Sequence, residues 1–179
     1  REVDVLGGLM GWVTDKSGIQ FKILNKSKGK SVWSPRAQVD KRFYEKTIYN
    51  HVLNHSNITL IEGEAVDVLV KNYRANGVVL RDGEKIKSWA VVLTCGTFLN
   101  GLIHVGQKKI RAGRMGESGA EGITEALTSK GFLAGRLKTG TPPRLDKNSI
   151  NWTKTQLTFG DDVPTPFSYQ TSSFSPPNI

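Results

Sequence analysis

The side chains best suited to chemistry are basic residues beside glycine-rich loops. One group, in the second half of the chain, contains Arg111, Arg114, Arg136, Lys138 and Arg144. Arginine and lysine beside such loops can bind a phosphate or a carboxylate. A second group, Lys26-Ser27-Lys28-Gly29-Lys30, could hold phosphates through its charge and backbone N–H groups, and is interpreted equally well as a solvated loop.

A glycine turn, Thr94-Cys95-Gly96-Thr97, is a different kind of candidate. Gly96 would let a ligand approach the backbone, and Thr94 and Thr97 would supply hydroxyl groups. A glycine that follows a strand is also an ordinary turn residue. The turn alone therefore does not establish a cofactor site.

The single cysteine, Cys95, invites the hypothesis of a nucleophile. No histidine is close in sequence to activate it, so a small buried thiol beside a strand end is the better interpretation. One cysteine excludes an internal disulfide and a cysteine-based metal site. His51 and His55 lie four residues apart, but no carboxylate is spaced to complete a site, so no metal site is predicted.

The overall charge suggests a polyanionic partner. The 179 residues include 25 Lys and Arg against 16 Asp and Glu, a formal net charge of +9. Such a charge fits nucleic acid, although many basic chains bind none. With 37% hydrophobic residues the composition is that of a globular protein. The sequence contains no apolar run of 18 residues, so no membrane span is predicted.

The first sixty residues must position the early basic group. Apolar spacing predicts a helix over residues 3–13, and alternation predicts a strand over 19–24. Ser34-Pro35 resembles a helix start, so a second helix is predicted over 35–55. Arg36 would then lie in the first turn, where the helix dipole disfavours a cation, which indicates an anionic contact or an ion pair with Asp40.

The second half is predicted to be a run of strands over residues 58–61, 65–70, 77–80 and 86–93, with Asn76-Gly77 and Asp82-Gly83 as turns. This pattern is an antiparallel meander. Residues 90–94 are apolar apart from the final threonine, which is typical of a central parallel strand buried on both faces. A strand over 102–105, a helix over 121–130 and a strand over 132–137 follow. In α/β nucleotide-binding domains, ligands lie at the carboxyl ends of such strands.

Several strings of residues occur together in a fixed order, at positions 1–10, 18–25, 27–29, 36–40, 94–101, 135–144 and 162–169. Two of them read Thr94-Cys95-Gly96-Thr97-Phe98-Leu99-Asn100-Gly101 and Gly135-Arg136-Leu137-Lys138-Thr139-Gly140-Thr141-Pro142-Pro143-Arg144. Their order and spacing resemble the MnmG (GidA) family across essentially the whole chain.

The resemblance implies an α/β fold, namely part of an FAD-binding, Rossmann-like domain of the glutathione-reductase type with an antiparallel β-meander. It also implies a cytoplasmic, homodimeric, FAD-dependent tRNA-modifying enzyme. Together with the GTPase MnmE, such enzymes add an aminomethyl or carboxymethylaminomethyl group to C5 of the wobble uridine. Methylene-tetrahydrofolate donates the carbon and NADH can reduce the flavin. A tRNA partner suits the positive charge.

The resemblance also implies site residues. Val66 matches a position whose backbone contacts the FAD adenine, and Thr94, Gly96 and Thr97 match a strand end beside the cofactor. Ala120 matches a position where relatives often have a flavin-contacting serine. Residues that fall in family motifs are expected to serve substrate or flavin: Lys28, Arg36, Gln38, Lys138 and Arg144.

By the same resemblance the chain is expected to be an interior fragment. Residues 1–142 would be part of the FAD-binding domain without its amino-terminal glycine fingerprint, and 143–179 would begin an inserted domain. The family's two catalytic cysteines would lie outside these residues, so no catalytic residue is expected here and the isolated chain should bind FAD poorly. Two alternatives are a folate- and FAD-dependent tRNA uridine methyltransferase and a non-catalytic basic RNA-binding domain.

Overall fold

A computed structural model describes residues 2–113, 116–138, 140, 142 and 145–179. The chain divides into two compact units. The first, here called the hairpin unit, contains residues 1–60 and 144–179; the second, the meander unit, contains residues 61–143. These units are defined by contacts within the chain. The predicted boundary between residues 142 and 143 instead separates an FAD-binding domain from an inserted domain, and it stays a prediction.

The hairpin unit opens with two short helices where one was predicted. Helix α1 spans Glu2–Val5 and helix α2 spans Met10–Ser17. Between them Gly7 adopts φ +86°, and the N–H of Gly8 donates to the carbonyl of Val3 at 2.8 Å. A Cβ at position 8 would lie 2.6 Å from that carbonyl oxygen, so the turn requires glycine.

Strands β1 (Gly18–Leu24) and β2 (Ser34–Val39) form an antiparallel hairpin, joined by two short 3₁₀ turns. The prediction of β1 is confirmed, whereas the helix predicted from Pro35 is wrong over residues 35–39. Pro35 faces Ile23 on a strand with a single neighbour, and an edge strand tolerates the missing N–H of proline.

Helix α3 begins later than predicted and spans Lys41–Leu53. Its N-cap is Asp40, whose carboxylate accepts from the N–H of Phe43 at 3.0 Å. The interpretation of Arg36 as a cation against a helix dipole is therefore wrong, because Arg36 belongs to β2. Asp40 caps the helix instead.

Aromatic contacts and carboxylates hold the hairpin unit together. Phe21 on β1 is 2% exposed and packs edge-on against Phe174, with ring centroids 4.9 Å apart. The carboxylate of Asp15 accepts from the backbone N–H groups of Phe167 at 2.7 Å and Ser168 at 2.9 Å. The segment after residue 144 is thereby fixed to the first helices of the same unit.

The meander unit contains the predicted antiparallel meander, in the order β3 (Ala65–Lys71), β4 (Arg74–Leu80) and β5 (Lys85–Lys87). The β3–β4 turn is at Asn72 and Tyr73, both with positive φ, rather than at Asn76-Gly77. Gly77 lies inside β4, where a Cβ would come within 2.1 Å of the carbonyl oxygen of Ile86 on β5.

The rest of this unit consists of a second hairpin and one helix. Strands β6 (Leu102–Val105) and β7 (Lys108–Arg111) pair antiparallel, and helix α4 spans Ile123–Ser129. The predictions of a strand at 102–105 and of a helix within 121–130 are confirmed. Gly131, with φ +92°, follows the helix end as predicted.

Three predicted strands, over residues 58–61, 90–94 and 132–137, are not formed. Val92 is 83% exposed, in contrast to the predicted central strand buried on both faces. A central strand takes its backbone hydrogen bonds from neighbours on both sides, and no segment in the described part of the chain pairs with residues 90–94. The parallel pairing seen in the described residues is a single bridge between Leu99 and Ala120.

The described residues form a mixed α/β structure. None of their helices is both long and apolar enough to cross a lipid bilayer. Within the same residues, no three His, Cys, Asp or Glu side chains come together as a metal site.

Candidate functional site

A cavity of about 370 Å³ lies within the meander unit. Its lining combines one aliphatic wall with charged and amide side chains: Val66, Arg81, Asn100, Arg111, Glu121, Gly122 and Glu125. Its size is at the lower end of the range of about 300–1,000 Å³ typical of small-molecule sites. The cavity is open to solvent, and its volume is sufficient for one ring system of a nucleotide.

Val66 forms the aliphatic wall. It lies on β3 at a shift in the β3–β4 register, between the pairs Ala65–Leu80 and Asp67–Val79, so no residue of β4 stands directly opposite it. Gly122 approaches it closely, because a Cβ at position 122 would lie 3.0 Å from the Cβ of Val66. With φ +110° as well, position 122 favours glycine both by space and by backbone conformation.

Ala120 lies next to this wall, one residue before the lining residue Glu121. Its carbonyl accepts from the N–H of Asn100 at 2.8 Å, and its own N–H donates to the carbonyl of Phe98 at 3.3 Å. These bonds place residues 98–101 beside residues 120–122. The alanine methyl carries no donor, so any polar contact from position 120 must come from its backbone.

An ion pair between Glu64 and Arg81 supports the cavity from one side. Nη2 of Arg81 donates to Oε1 of Glu64 at 2.7 Å while Nε donates to Oε2, which is a bidentate arrangement. Nη2 also donates to the carbonyl of Glu121 at 3.0 Å, and the N–H of Glu121 donates to Oε1 of Glu64 at 3.3 Å. The hydrogen bond from Arg81, followed by the one from the Glu121 N–H, lowers the pKa of Glu64 to about 2.

A second carboxylate, that of Glu125, supports the other side. It accepts from the side-chain amide of Asn100 at 2.7 Å and from the N–H of Gly122 at 3.1 Å. Hydrogen bonds from its own backbone N–H and then from Asn100 lower the pKa of Glu125. Arg111 contacts Glu121 at 3.3 Å with an exposed guanidinium. The cavity thus has two hydrogen-bonded carboxylates, Glu64 and Glu125, around it and the exposed Arg111 at its edge.

The five cofactor residues predicted from the sequence separate into two groups. Val66 lines the cavity and Ala120 adjoins it. Thr94, Gly96 and Thr97 are exposed on the segment between β5 and β6 and do not line it. Gly96 does occupy a turn, with φ +63°, as its residue type indicated.

The same segment corrects the interpretation of Cys95 as a buried thiol, because the cysteine is exposed. The site role of Thr94, Gly96 and Thr97 remains a prediction.

The predicted substrate residues are distributed over both units. Arg36 and Gln38 are exposed on β2, opposite Lys22 and Gln20 of β1, and Nη2 of Arg36 donates to the Gln20 side chain at 3.3 Å. Lys28 is exposed on a 3₁₀ turn of the same unit. In the meander unit Lys138 is exposed, and Arg144 lies outside the described residues.

Sequence reasoning missed most of the cavity. Glu64 and Arg81 are 17 residues apart, and no local pattern indicates that they meet. Glu125 alone left a partial signal, because a glutamate three residues after an N-cap can accept from the N-cap N–H, which is the half of a capping box that a glycine N-cap allows. Asn100 belonged to a string already recognised as a family motif.

Comparison with known proteins places these features in a family. The profile described as "Glucose inhibited division protein A" matches residues 1–179. A "tRNA uridine 5-carboxymethylaminomethyl modification enzyme MnmG" from Karelsulcia muelleri is 47% identical over 169 residues, which are 94% of this chain and 28% of that protein. The protein of the same name from Sulfurihydrogenibium sp. is 49% identical over 173 residues, 96% of this chain and 28% of the relative.

A solved structure agrees with the sequence relatives. The chain superimposes on Aquifex aeolicus GidA in its form I crystal with a TM-score of 0.86 and 44% identity, covering 98% of this chain and 30% of that one. The chain thus spans between a quarter and a third of the length of the relatives it matches. The match over all 179 residues confirms the resemblance seen in the motifs, and the chain belongs to the glucose-inhibited division protein A (GidA, or MnmG) family.

Proposed function

We propose that this chain is an interior part of an FAD-dependent enzyme that modifies the wobble uridine of tRNA. With the GTPase MnmE, the full-length parent would attach an aminomethyl or carboxymethylaminomethyl group to C5. The observation that carries the proposal is the family match over residues 1–179, together with relatives whose names state this tRNA modification.

The cavity supports a part of that function, namely binding of the adenine end of FAD. Its volume of about 370 Å³ fits one ring system, and its lining pairs the apolar Val66 with fixed polar groups. Val66 would present its backbone and side chain to the adenine, and Ala120, whose N–H already donates to Phe98, would contribute its methyl group and its carbonyl oxygen. When bound, FAD supplies the redox chemistry, while these residues bind and orient it.

The turn at residues 94–97 would serve the same cofactor in the folded parent. Residues 90–93 are apolar, and the backbone groups of such a segment need partner strands. In the parent we expect them to become the central strand of a Rossmann-like domain, which would bring Thr94, Gly96 and Thr97 to the flavin. The isolated chain should bind FAD weakly, because no pyrophosphate-binding glycine fingerprint occurs in its 179 residues.

The hairpin unit supports a contact with tRNA. Lys28 and Arg36 are exposed and Gln38 lies on the same strand as Arg36. Exposed cations of this kind bind phosphates without reading sequence, and the net charge of +9 agrees with a polyanionic substrate. Lys138, in the meander unit, and Arg144 would contact substrate or flavin in the parent. Four further parts of the proposal rest on family membership alone. They are NADH as reductant, methylene-tetrahydrofolate as carbon donor, a homodimer and a cytoplasmic location.

The test uses the full-length parent. We expect the purified protein to show the visible absorption of bound flavin, and we expect deletion of its gene to leave wobble uridines without their C5 substituent, as measured by mass spectrometry of tRNA nucleosides. A parent without flavin and a deletion strain with normal tRNA would overturn the proposal. A missing methyl group in place of the aminomethyl group would identify the methyltransferase activity instead, and tRNA binding without flavin would identify a binding protein.

A further inference from the structure

We propose that Arg81 is a positioning residue for the adenine wall of the cavity. It holds the backbone of residues 120–122 against β3 through a shared contact with Glu64 and does not bind the cofactor itself. The inference rests on the proposed FAD-binding function.

The contacts of Arg81 join two segments that are far apart in sequence. Its guanidinium donates two hydrogen bonds to the carboxylate of Glu64, the residue directly before β3. From the same nitrogen, Nη2, it reaches the carbonyl of Glu121 at 3.0 Å. Glu64 closes the loop by accepting from the N–H of Glu121 at 3.3 Å. Both backbone groups of Glu121 are therefore fixed by one ion pair.

Fixing Glu121 fixes the width of the cavity. Glu121 stands between Ala120 and Gly122, and Gly122 already approaches Val66 so closely that a Cβ would lie 3.0 Å from the valine Cβ. A displacement of Glu121 would therefore move the segment that faces Val66. Arg81 also lines the cavity. Its Nε and Nη2 donate to Glu64 and Glu121, which are residues of the protein that surround the cavity.

The chemistry of the pair favours arginine. A planar guanidinium can bind both carboxylate oxygens and a carbonyl at the same time, whereas an ammonium group acts as a single point charge. Glu64 stays ionised down to low pH because of these bonds. The pair is exposed, with 55% of the Arg81 side chain accessible, and exposed ion pairs contribute little to global stability. Loss of Arg81 should thus affect the cavity more than the fold.

The experiment uses the full-length parent freed of flavin and titrated with FAD, with binding followed by quenching of flavin fluorescence. Arg81→Met should weaken FAD binding about threefold, as expected for the loss of an exposed ion pair that only positions the cavity wall. Arg81→Lys should recover only part of this affinity, and Glu64→Gln should weaken binding in the same direction. The matched control is Arg74→Met, which removes an exposed arginine at the start of β4, the strand that ends one residue before Arg81.

Two further readouts separate positioning from a general loss of structure. At saturating FAD, the visible spectrum of flavin bound to Arg81→Met should equal that of the wild type, because only the adenine end of the proposed cofactor would contact this cavity. The melting temperature of the flavin-free protein should stay unchanged. The double variant Glu64→Gln/Arg81→Met should bind FAD no more weakly than Arg81→Met alone, since both substitutions break the same contact.

Wild-type affinity in Arg81→Met would overturn the inference. So would a loss of affinity that occurs only together with a lower melting temperature or an altered flavin spectrum. If Arg81→Met fails to fold, Arg81→Lys and Glu64→Gln decide by the same criteria. A wild-type parent that binds no flavin would overturn the proposed function itself, whereas a flavin-binding parent indifferent to Arg81 overturns this inference alone.

Discussion

Asp15 in the hairpin unit and the pair Glu64 and Asp67 in the meander unit hold different kinds of partner. In the hairpin unit, Asp15 accepts from backbone N–H groups around a largely buried serine, Ser168. In the meander unit, Glu64 binds an exposed guanidinium and Asp67 binds the Lys130 ammonium. A carboxylate that satisfies partly buried backbone donors stabilises the fold, because those donors have lost much of their access to water. A carboxylate in an exposed ion pair contributes little stability and is available to shape a site.

The largest expected effect concerns the hairpin core. Phe21→Ala removes a side chain that is 2% exposed and packs on Phe174, so it should destabilise this unit by about 3–5 kcal/mol. Native-state hydrogen exchange of β1 amides in the parent measures the loss. Phe159→Ala, at a position 65% exposed in the same unit, is the control and should have little effect. Equal effects of the two substitutions would contradict the assignment of this core.

The next effect tests the carboxylate that holds the later segment. Asp15→Ala leaves the N–H groups of Phe167 and Ser168 without their acceptor and also removes the bond from the Thr171 hydroxyl at 2.6 Å. We expect the opening free energy at residues 167 and 168 to fall by about 2 kcal/mol. Hydrogen exchange with mass spectrometry checks it. The control is Asp162→Ala, which changes an exposed aspartate of the same segment and should leave the exchange at residues 167 and 168 unchanged. Equally fast exchange in Asp162→Ala would mean that Asp15 has no special role in holding this segment.

A smaller effect is expected at the cavity wall. Gly122→Ala adds a methyl group 3.0 Å from the Cβ of Val66 at φ +110°, so FAD affinity of the parent should fall about fivefold, or roughly 1 kcal/mol. Gly83→Ala is a matched control, because position 83 also has a positive φ of +93° but open space around a Cβ. Similar FAD affinities in both variants would show that contact with Val66 does not limit the cavity.

The smallest effect is a titration. The folded-state pKa of Glu64 is lowered to about 2 from the ordinary value of 4.5, so the stability that its ionised form contributes is present above about 4.5 and is lost as pH falls toward 2. NMR of the Glu64 carboxyl carbon should give a midpoint near 2 in the wild type. In Arg81→Met the midpoint should rise toward the ordinary value. A midpoint near 4.5 in the wild type would mean that the ion pair is not formed.

Local patterns predicted the elements that carry their own signals. The alternation in residues 19–24 gave β1, and the residues around Asp82-Gly83 gave a turn that precedes β5. Ser34-Pro35 misled because a serine before proline is equally compatible with an extended strand, and proline is tolerated at a sheet edge. The true helix start, Asp40, has the same chemistry as any other N-cap candidate, and only the pairing of β2 with β1 decides between them.

Long-range contacts explain what the sequence could not predict. The cavity depends on Arg81 meeting Glu64 and Glu121, which lie 17 residues before it and 40 residues after it. Residues 90–94 are apolar enough for a buried strand, yet a strand forms only where neighbours supply hydrogen bonds. Val66 and Ala120 were predicted as site residues through the family resemblance, and nothing in their residue types alone indicates such a role.

The cross-strand pair Lys22–Arg36 has a thermodynamic consequence of its own. Two positive side chains directly opposite each other on a hairpin repel, and added salt relieves that repulsion. Salt also weakens the hold of the same two cations on any phosphate backbone. The ionic strength of the medium should thus act on this pair with opposite signs, stabilising the free hairpin while weakening the proposed binding of RNA. If the proposed RNA contact is made, its affinity and the intrinsic stability of the hairpin would both depend on salt, in opposite directions, and would have to be measured at several salt concentrations.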